Sequence, residues 1–331
     1  MSSIGANHVG VVGAGTIGIS FAIVFARAGH IVSVYDIVEE SRATGSARVL
    51  ERLALLNDFD LLTEAEETIS NRITFDADLS STVKNASLVL ECAQEDLDVK
   101  RAIFSELESL APDHAILASA SSALRASEFA GHLATRARCL VLHPANPPYL
   151  LPVVEVVPAP FTTEETVARA ESILANAGME GVRIDAELTG FVYNRLQGAL
   201  LREAYCLVRD GVVDVAGIDT IVRDALGLRW SVIGPFETID LNTRGGIEAH
   251  AARLGAAYER MGRERGQYDP WTPDLVARVA SQRRQMLPLK DWADRVLWRD
   301  RQLAALQSWR QQNLEPTVHV GEDPRAAPQR R

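Results

Sequence analysis

Short apolar runs separated by polar and amphipathic stretches occupy the first half of the chain. Between several of these runs apolar residues recur at helical spacing, and Gly29 ends the first predicted helix. Strands that alternate with helices over short connections indicate a mainly parallel sheet covered by helices on both faces. The runs predict strands over residues 8–12, 31–35, 73–75, 88–92, 115–119, 138–142, 153–157 and 182–184.

The pattern changes after about residue 188, and no convincing strand follows it. We therefore expect a doubly wound α/β domain over residues 1–188 and an all-α domain over residues 189–314. The last stretch, 315–331, is polar, contains proline and lacks periodicity, which predicts a mobile tail. The helices predicted for the second domain cover residues 192–208, 216–225, 237–265 and 273–285.

The composition is that of an ordinary globular protein, and a length of 331 residues suits two domains. No run approaches the roughly 18 uncharged apolar residues of a membrane span, and no basic segment precedes the first apolar run as in a signal peptide. The 3 cysteines are too widely spaced for a metal site or a disulfide scaffold, which suits a reducing cytoplasm. A net charge of −10 argues against binding to nucleic acid or acidic membranes, although a local positive site could bind a small anion.

A glycine-rich turn directly follows the first predicted strand and opens the first helix. Its glycines would permit a tight turn, the close approach of a pyrophosphate and tight helix–strand packing. Free N–H groups at the helix N-terminus would face that pyrophosphate. This context favours a Rossmann-type dinucleotide-binding fold over a glycine-rich turn of another α/β fold. The residues that match the pattern Gly-x-Gly-x-x-Gly are Gly13, Ala14, Gly15, Thr16, Ile17 and Gly18.

The residue that ends the second predicted strand points to the identity of the cofactor. Asp36 lies 23 residues beyond Gly13. A carboxylate at this position accepts hydrogen bonds from the ribose hydroxyls and repels a 2′-phosphate. Because Ile37 and Val38 follow Asp36 instead of an arginine, the sequence predicts NAD rather than NADP.

Two polar residues lie within or directly after apolar strands, where packing alone would predict apolar ones. His143 follows the sixth apolar run, at the strand end where parallel sheets bind their ligands. Glu155 lies among valines in the seventh run, and burial of such a carboxylate is costly unless it is paired. A proline-rich turn between the two strands could bring the imidazole and the carboxylate together. The alternatives are a structural histidine and a glutamate that faces water from an edge strand.

Two further polar residues lie where a ligand could approach. Asn194 shares a helical face with Gly198 and Tyr205, so its amide makes either a helix–helix hydrogen bond or a substrate contact. Ser122 follows the fifth strand among small residues, which would admit a ligand. The alternative for Ser122 is an ordinary serine-rich loop.

Several segments together resemble one known family. They resemble the 3-hydroxyacyl-CoA dehydrogenase superfamily over nearly the whole chain, and the last of them resembles its lambda-crystallin / L-gulonate 3-dehydrogenase branch. The segments are GAGTIG at 13–18, HPANPPYLLPVVEVVP at 143–158, GFVYNRLQ at 190–197, EAYCLVRDGVV at 203–213 and GLRWSVIGPFETIDLN at 227–242.

The resemblance implies a reaction and a role for each polar residue. His143 would be the catalytic histidine that takes the proton of a secondary hydroxyl while a hydride passes to the nicotinamide, and Glu155 would be its carboxylate partner. Ser122 would hydrogen-bond the reacting hydroxyl, and Asn194 would contact the substrate oxygen or position the histidine. Many family members carry asparagine where this chain has Ala120. The resemblance also implies a homodimer that pairs through the helical domain.

Further cofactor contacts complete the predicted site. The resemblance implies nicotinamide-ribose contacts from Glu95 and Lys100, and Asn146 matches the second polar position of a His-x-x-Asn-Pro motif. The predicted cofactor-binding set also includes Ile37, Ala93 and Ser119.

The charge of the predicted helical excursion over residues 39–72 bears on the substrate. It contains four arginines and eight carboxylates, and a net charge of −4 is a poor platform for the phosphates of a CoA thioester. A smaller acid such as a sugar acid fits better, with its carboxylate bound by Arg229 unless that arginine forms a salt bridge instead. L-Carnitine, a 3-hydroxyacyl-CoA and a non-catalytic, crystallin-like protein that binds NAD remain as alternatives.

Overall fold

The computed structural model describes residues 8–59, 61–265, 272–295, 298 and 309. The predicted tail over residues 315–331 lies outside them. The chain divides into two compact units, with the boundary between Glu203 and Ala204. Among the helices that the structure describes, none has the combination of length and hydrophobicity that crossing a bilayer requires. The same residues hold no group of three or more His, Cys, Asp or Glu side chains that could bind a metal ion.

The first unit is built on one mainly parallel sheet of eight strands, as the apolar runs predict. The strand order is β3-β2-β1-β4-β5-β6-β7-β8, and every neighbouring pair is parallel except β6 and β7. The strands are β1 (His8–Val12), β2 (Ile31–Tyr35), β3 (Ile73–Asp76), β4 (Ala86–Glu91), β5 (Ile116–Ser119), β6 (Cys139–Pro144), β7 (Val153–Pro158) and β8 (Glu180–Arg183).

Both faces of this sheet are buried, which explains why its central strands are continuous apolar runs. Successive side chains of a strand point to opposite faces, so Leu88 and Leu90 of β4 join one core cluster while Val89 joins the other. The helices that flank the strands are α1 (Thr16–Arg27), α2 (Glu39–Asp58), α3 (Glu66–Ser70), α4 (Leu79–Val83), α5 (Leu97–Leu110), α6 (Ala126–Phe129) and α7 (Glu164–Asn176). The next helix, α8 (Tyr193–Arg209), contains the boundary between the two units.

The described part of the second unit is helical, as predicted. After α8 it contains α9 (Val215–Ile221), a π-helix (Val222–Gly227), α10 (Leu228–Trp230), α11 (Pro235–Asn242), α12 (Gly246–Glu264) and α13 (Pro273–Met286). The prediction of one continuous helix over residues 237–265 was wrong. The chain breaks between α11 and α12, where Gly245 and Gly246 have φ of 101° and 73°, which favours glycine. Asp240 then accepts a hydrogen bond from the amide of Ile247 at 3.1 Å, in the first turn of α12.

Candidate active site

The turn between β1 and α1 has the shape of a dinucleotide-binding loop. Gly13 has φ of 109°, and a Cβ atom there would lie 2.8 Å from the carbonyl oxygen of Cys92. A Cβ atom at Gly18 would overlap the carbonyl oxygen of Gly13, so helix and loop pack too closely for a side chain. By contrast, a Cβ atom at Gly15 would meet no atom within 4 Å. No side chain caps α1 at this residue, so its first N–H groups remain available to an anion.

Asp36, which directly follows β2, binds this loop through its carboxylate. Its carboxylate accepts hydrogen bonds from the amide of Ala14 at 2.7 Å and from the amide of Val38 at 2.8 Å. Two arginines of α2 also reach the same segment. Arg42 donates to the carbonyl oxygen of Asp36, and Arg48 donates to that of Ala14, both at 2.6 Å.

A cavity of about 580 Å³ opens beside the loop. Five of the predicted cofactor-binding residues line it, namely Gly13, Gly15, Asp36, Ile37 and Ala93. The Ile37 side chain is 82% exposed, so an apolar surface is available to a planar ring. The open space at Gly15, the uncapped helix and this cavity together fit a dinucleotide.

His143 and Glu155 meet at the antiparallel pair formed by β6 and β7. The strand register places them directly opposite each other, and the Nδ1 atom of His143 lies 2.6 Å from the Oε2 atom of Glu155. Both side chains are buried. Because an ionised carboxylate can only accept, the imidazole carries its proton on Nδ1, and the lone pair on Nε2 can serve as a base.

The second oxygen of Glu155 accepts hydrogen bonds from the start of α8. The amides of Val192 and Tyr193 donate to Oε1 at 2.7 and 2.9 Å. The chain reaches this position through Gly190 and Phe191, which have φ of 75° and 47°. Burial raises the pKa of Glu155, but the hydrogen bonds from His143 and from the two amides outweigh it and hold the pKa below its ordinary value.

Two aromatic rings lie beside the imidazole of His143. The Phe191 ring is fully buried, and its centroid lies 5.5 Å from that of the imidazole. The Tyr193 ring makes a T-shaped contact with the imidazole, with the ring centroids 6.2 Å apart, and is half-exposed. Phe191 therefore packs against the histidine, whereas Tyr193 offers an aromatic surface next to it.

The side chain of Asn194 contacts the backbone of Ser122. The side-chain amide of Asn194 donates to the carbonyl oxygen of Ser122 at 3.0 Å. Ser122 lies on the exposed loop after β5, and its own amide donates to Glu95 at 3.0 Å. The structure thus joins three of the predicted site residues in one hydrogen-bonded group.

Next to this group lies a buried ion pair that sequence reasoning missed. Glu91 ends β4 with no exposed surface, and its two oxygens lie 2.9 and 2.8 Å from the ammonium of Lys100. The hydroxyl of Ser119 donates to Glu91 at 2.5 Å, and the amide of Ala93 donates to it at 2.7 Å. The signal in the sequence was a carboxylate within an apolar strand, the same signal that identified Glu155.

Four of the predicted residues take no part in the contacts described above, and two of them, Thr16 and Ile17, begin α1. Asn146 lies in the loop between β6 and β7, two residues after β6 ends. Arg229 lies on α10 of the second unit, and its buried Nε atom has no hydrogen-bond partner among the described residues. Its contact with a substrate stays a prediction.

Comparison with known proteins gives two family matches that together span most of the chain. Residues 8–187 match the family described as 3-hydroxyacyl-CoA dehydrogenase, NAD binding domain. Residues 190–286 match the one described as 3-hydroxyacyl-CoA dehydrogenase, C-terminal domain.

Individual proteins are also similar to this chain over most of its length. Lambda-crystallin from Oryctolagus cuniculus is 35% identical over 318 residues, which cover 94% of this chain and 99% of the relative. L-Carnitine dehydrogenase from Streptomyces griseus is 36% identical over 245 residues, which cover 73% of this chain and 72% of that protein. The crystal structure of (S)-3-hydroxybutyryl-CoA dehydrogenase from Ralstonia eutropha superposes with a TM-score of 0.63 at 27% identity, covering 76% of this chain and 87% of that one.

Proposed function

The chain belongs to the 3-hydroxyacyl-CoA dehydrogenase family and binds NAD, and from this premise we propose that it oxidises the 3-hydroxyl of a small hydroxy acid similar to L-gulonate. The observation that carries the proposal is the contact between His143 and Glu155. A buried imidazole whose Nδ1–H is held by an ionised carboxylate presents a base at Nε2.

In the proposed mechanism, the Nε2 atom of His143 removes the proton of the substrate hydroxyl. Bound NAD supplies the nicotinamide ring that accepts the hydride from the same carbon. The negative charge of Glu155 stabilises the imidazolium that forms and keeps the ring oriented. Ser122 and Asn194 lie together and would hold the substrate oxygen as it changes from hydroxyl to carbonyl. In the reverse direction the imidazolium returns the proton to the oxygen.

The hydrogen bonds and ion pairs of the segment after β2, residues 39–72, favour a small acid over a CoA thioester as the substrate. Arg42 and Arg48 donate to backbone carbonyl groups, and Arg72 forms an ion pair with Glu64 at 2.5 Å. These three arginines are therefore engaged within the unit, in a segment that carries a net charge of −4. Few cations there remain for the phosphates of CoA.

L-Carnitine is the second candidate substrate, and a specific observation favours it. The ring of Tyr193 is half-exposed and lies beside His143, where a quaternary ammonium could rest against its face. The L-carnitine dehydrogenase from Streptomyces griseus is also among the similar proteins.

A panel of hydroxy acids, followed by NADH absorbance, tests the proposed function. The panel contains L-gulonate, L-carnitine, 3-hydroxybutyrate and a 3-hydroxyacyl-CoA. We expect the highest kcat/KM with the sugar acid. A clear preference for the thioester or for L-carnitine would overturn the substrate class. An absence of turnover with every member, despite NADH binding, would favour a crystallin-like structural role over catalysis.

The Arg229→Met variant tests how the substrate carboxylate is bound. If Arg229 binds it, KM for the acid should rise about 10- to 100-fold while NADH affinity stays the same, because a charge-assisted hydrogen bond is lost. Arg229→Lys should recover only part of the affinity, since the planar guanidinium is lost. Arg223→Met, which removes an exposed arginine paired with Asp224, is the matched control. An unchanged KM in Arg229→Met would place the carboxylate elsewhere.

A further inference from the structure

We propose that Glu95 is a positioning residue that fixes the loop carrying Ser122 by binding its backbone, an inference that rests on the proposed dehydrogenase function. One oxygen of Glu95, Oε1, accepts from the hydroxyl of Ser121 at 2.6 Å. The same oxygen accepts from the amides of Ser122 at 3.0 Å, Ala123 at 2.9 Å and Leu124 at 3.4 Å. We call this set of contacts the Glu95 clamp.

The clamp accepts hydrogen bonds from several donors of one short loop. The amides of three consecutive residues point to one side, as in a turn that binds an anion. The Ser121 hydroxyl, which is buried, donates to Glu95 and also accepts from the amide of Leu124 at 2.8 Å. The carboxylate of Glu95 therefore takes the place of the anion in this turn, and it binds residues 121–123 around Ser122.

The other oxygen of Glu95 is tied to the buried ion pair. The ammonium of Lys100 lies 3.4 Å from Oε2 of Glu95, and it is held between that atom and the carboxylate of Glu91. The side chain of Lys100 is only 1% exposed, whereas that of Glu95 is 41% exposed. In this arrangement Lys100 acts through Glu95, which it anchors to the end of β4, and Glu95 keeps an exposed side that a ribose hydroxyl could still reach.

The surrounding charges and hydrogen bonds keep the carboxylate of Glu95 ionised. Burial alone would raise the pKa of Glu95, but the Ser121 hydroxyl, the Lys100 ammonium and the loop amides hold that pKa below its ordinary value. On the opposite side of the loop, Asn194 donates to the carbonyl oxygen of Ser122. Ser122 is thus held by its amide from one element and by its carbonyl group from another.

Loss of the clamp should affect the reaction more than binding. A displacement of about 1 Å in a group that contacts the reacting atoms can reduce the rate about 100-fold, even when the change is made elsewhere. In Glu95→Gln the shape of the side chain is kept, but the attraction to Lys100 and the acceptor strength toward the loop amides are lost. We expect kcat to fall about 10- to 100-fold in Glu95→Gln, a larger change than that of the NADH dissociation constant, because the amide keeps an oxygen that a ribose hydroxyl could reach.

The experiment combines kinetics, NADH titration and hydrogen exchange on the full chain. Glu95→Gln and Glu95→Ala are compared with the matched control Glu187→Gln, which removes a carboxylate that accepts from the amide of Ser127 at 2.9 Å in the same unit. We expect the amides of residues 122–124 to exchange at least about tenfold faster in the Glu95 variants and at the normal rate in the control.

Each outcome decides one part of the proposal. Unchanged exchange of residues 122–124 in Glu95→Ala would overturn the clamp, and faster exchange with unchanged kcat would overturn its role in the reaction. A large loss of NADH affinity with normal exchange would overturn it in favour of a direct cofactor contact. If the natural chain turns over no hydroxy acid at all, the dehydrogenase proposal fails, while the exchange measurement still decides whether the clamp exists.

Discussion

At the scale of single residues, the two oxygens of Glu155 have separate partners. Oε2 accepts from His143, and Oε1 accepts from two amides at the start of α8. The pairing with His143 could be expected from the sequence, because a lone carboxylate among valines needs a partner. The second set of contacts could not, since it depends on the left-handed backbone at Phe191, where a bulky residue rarely has positive φ.

This division makes Glu155→Gln an informative variant. An amide has one acceptor oxygen, and if that oxygen stays with the amides of α8, its NH₂ group faces Nδ1 of His143. The imidazole must then accept at Nδ1 and carry its proton on Nε2, the wrong tautomer for a base. We expect kcat to fall about 100- to 10,000-fold in both Glu155→Gln and His143→Gln, with NADH affinity changed less than about threefold.

Steady-state kinetics and fluorescence titration with NADH separate the two effects. Glu165→Gln, an exposed glutamate in the first turn of α7, serves as the control and should behave as the natural chain does. Near-normal turnover in His143→Gln would refute its assignment as the base.

At the scale of elements, strands were easier to predict than the details of helices and ion pairs. The central strands of a sheet that is buried on both faces appear in the sequence as continuous apolar runs. The ends of each predicted strand lie within about two residues of those in the structure. The break between α11 and α12 does have a signal in the sequence, the pair Gly245 and Gly246, and the prediction of one helix overlooked it. The ion pair of Glu91 with Lys100 was missed although Glu91, like Glu155, is a carboxylate in an apolar strand, because the sequence alone did not indicate which cation on another element is its partner.

The roles of Gly13 and Gly15 in the loop between β1 and α1 can be distinguished by experiment. Gly13→Ala should destabilise the first unit by about 2 kcal/mol or more, because φ is positive and the new methyl group would meet the carbonyl oxygen of Cys92. Gly15→Ala should leave thermal stability unchanged, since a Cβ atom there meets nothing, but it should weaken NADH binding at least about tenfold by blocking the approach of the pyrophosphate.

Thermal unfolding without cofactor and NADH titration check the two expectations, and each variant serves as the other's control. Full NADH affinity in Gly15→Ala would show that the cofactor does not approach this residue.

At the scale of the whole molecule, α8 presents an unusual surface. The structure describes every residue of this helix and buries none of them. Several large apolar side chains on it are largely exposed, including Leu196, Leu201 and Tyr205. An exposed apolar helix of this kind is typical of a protein–protein interface, and the symmetric dimer is the commonest form of homo-oligomer.

We therefore expect the chain to form a homodimer in which α8 is buried. Light scattering at micromolar concentration should give a mass about twice that of one chain. The double variant Leu196→Glu/Tyr205→Glu should shift it toward the monomer, because a charge would be placed within an apolar interface. Phe59→Glu, a change at an exposed aromatic residue after α2, is the control. A monomeric mass for the natural chain would contradict the proposal.

The buried pair of Glu91 and Lys100 also constrains how this protein can evolve. Loss of either partner leaves a buried charge without its main counter-charge, at a cost of about 3–5 kcal/mol, a large part of the roughly 5–15 kcal/mol by which a domain is stable. Replacement of both by apolar residues of similar volume can be nearly neutral. The path between these two states passes through an intermediate that selection removes. Related proteins should therefore keep both residues or differ at positions 91 and 100 together, so that the two positions co-vary.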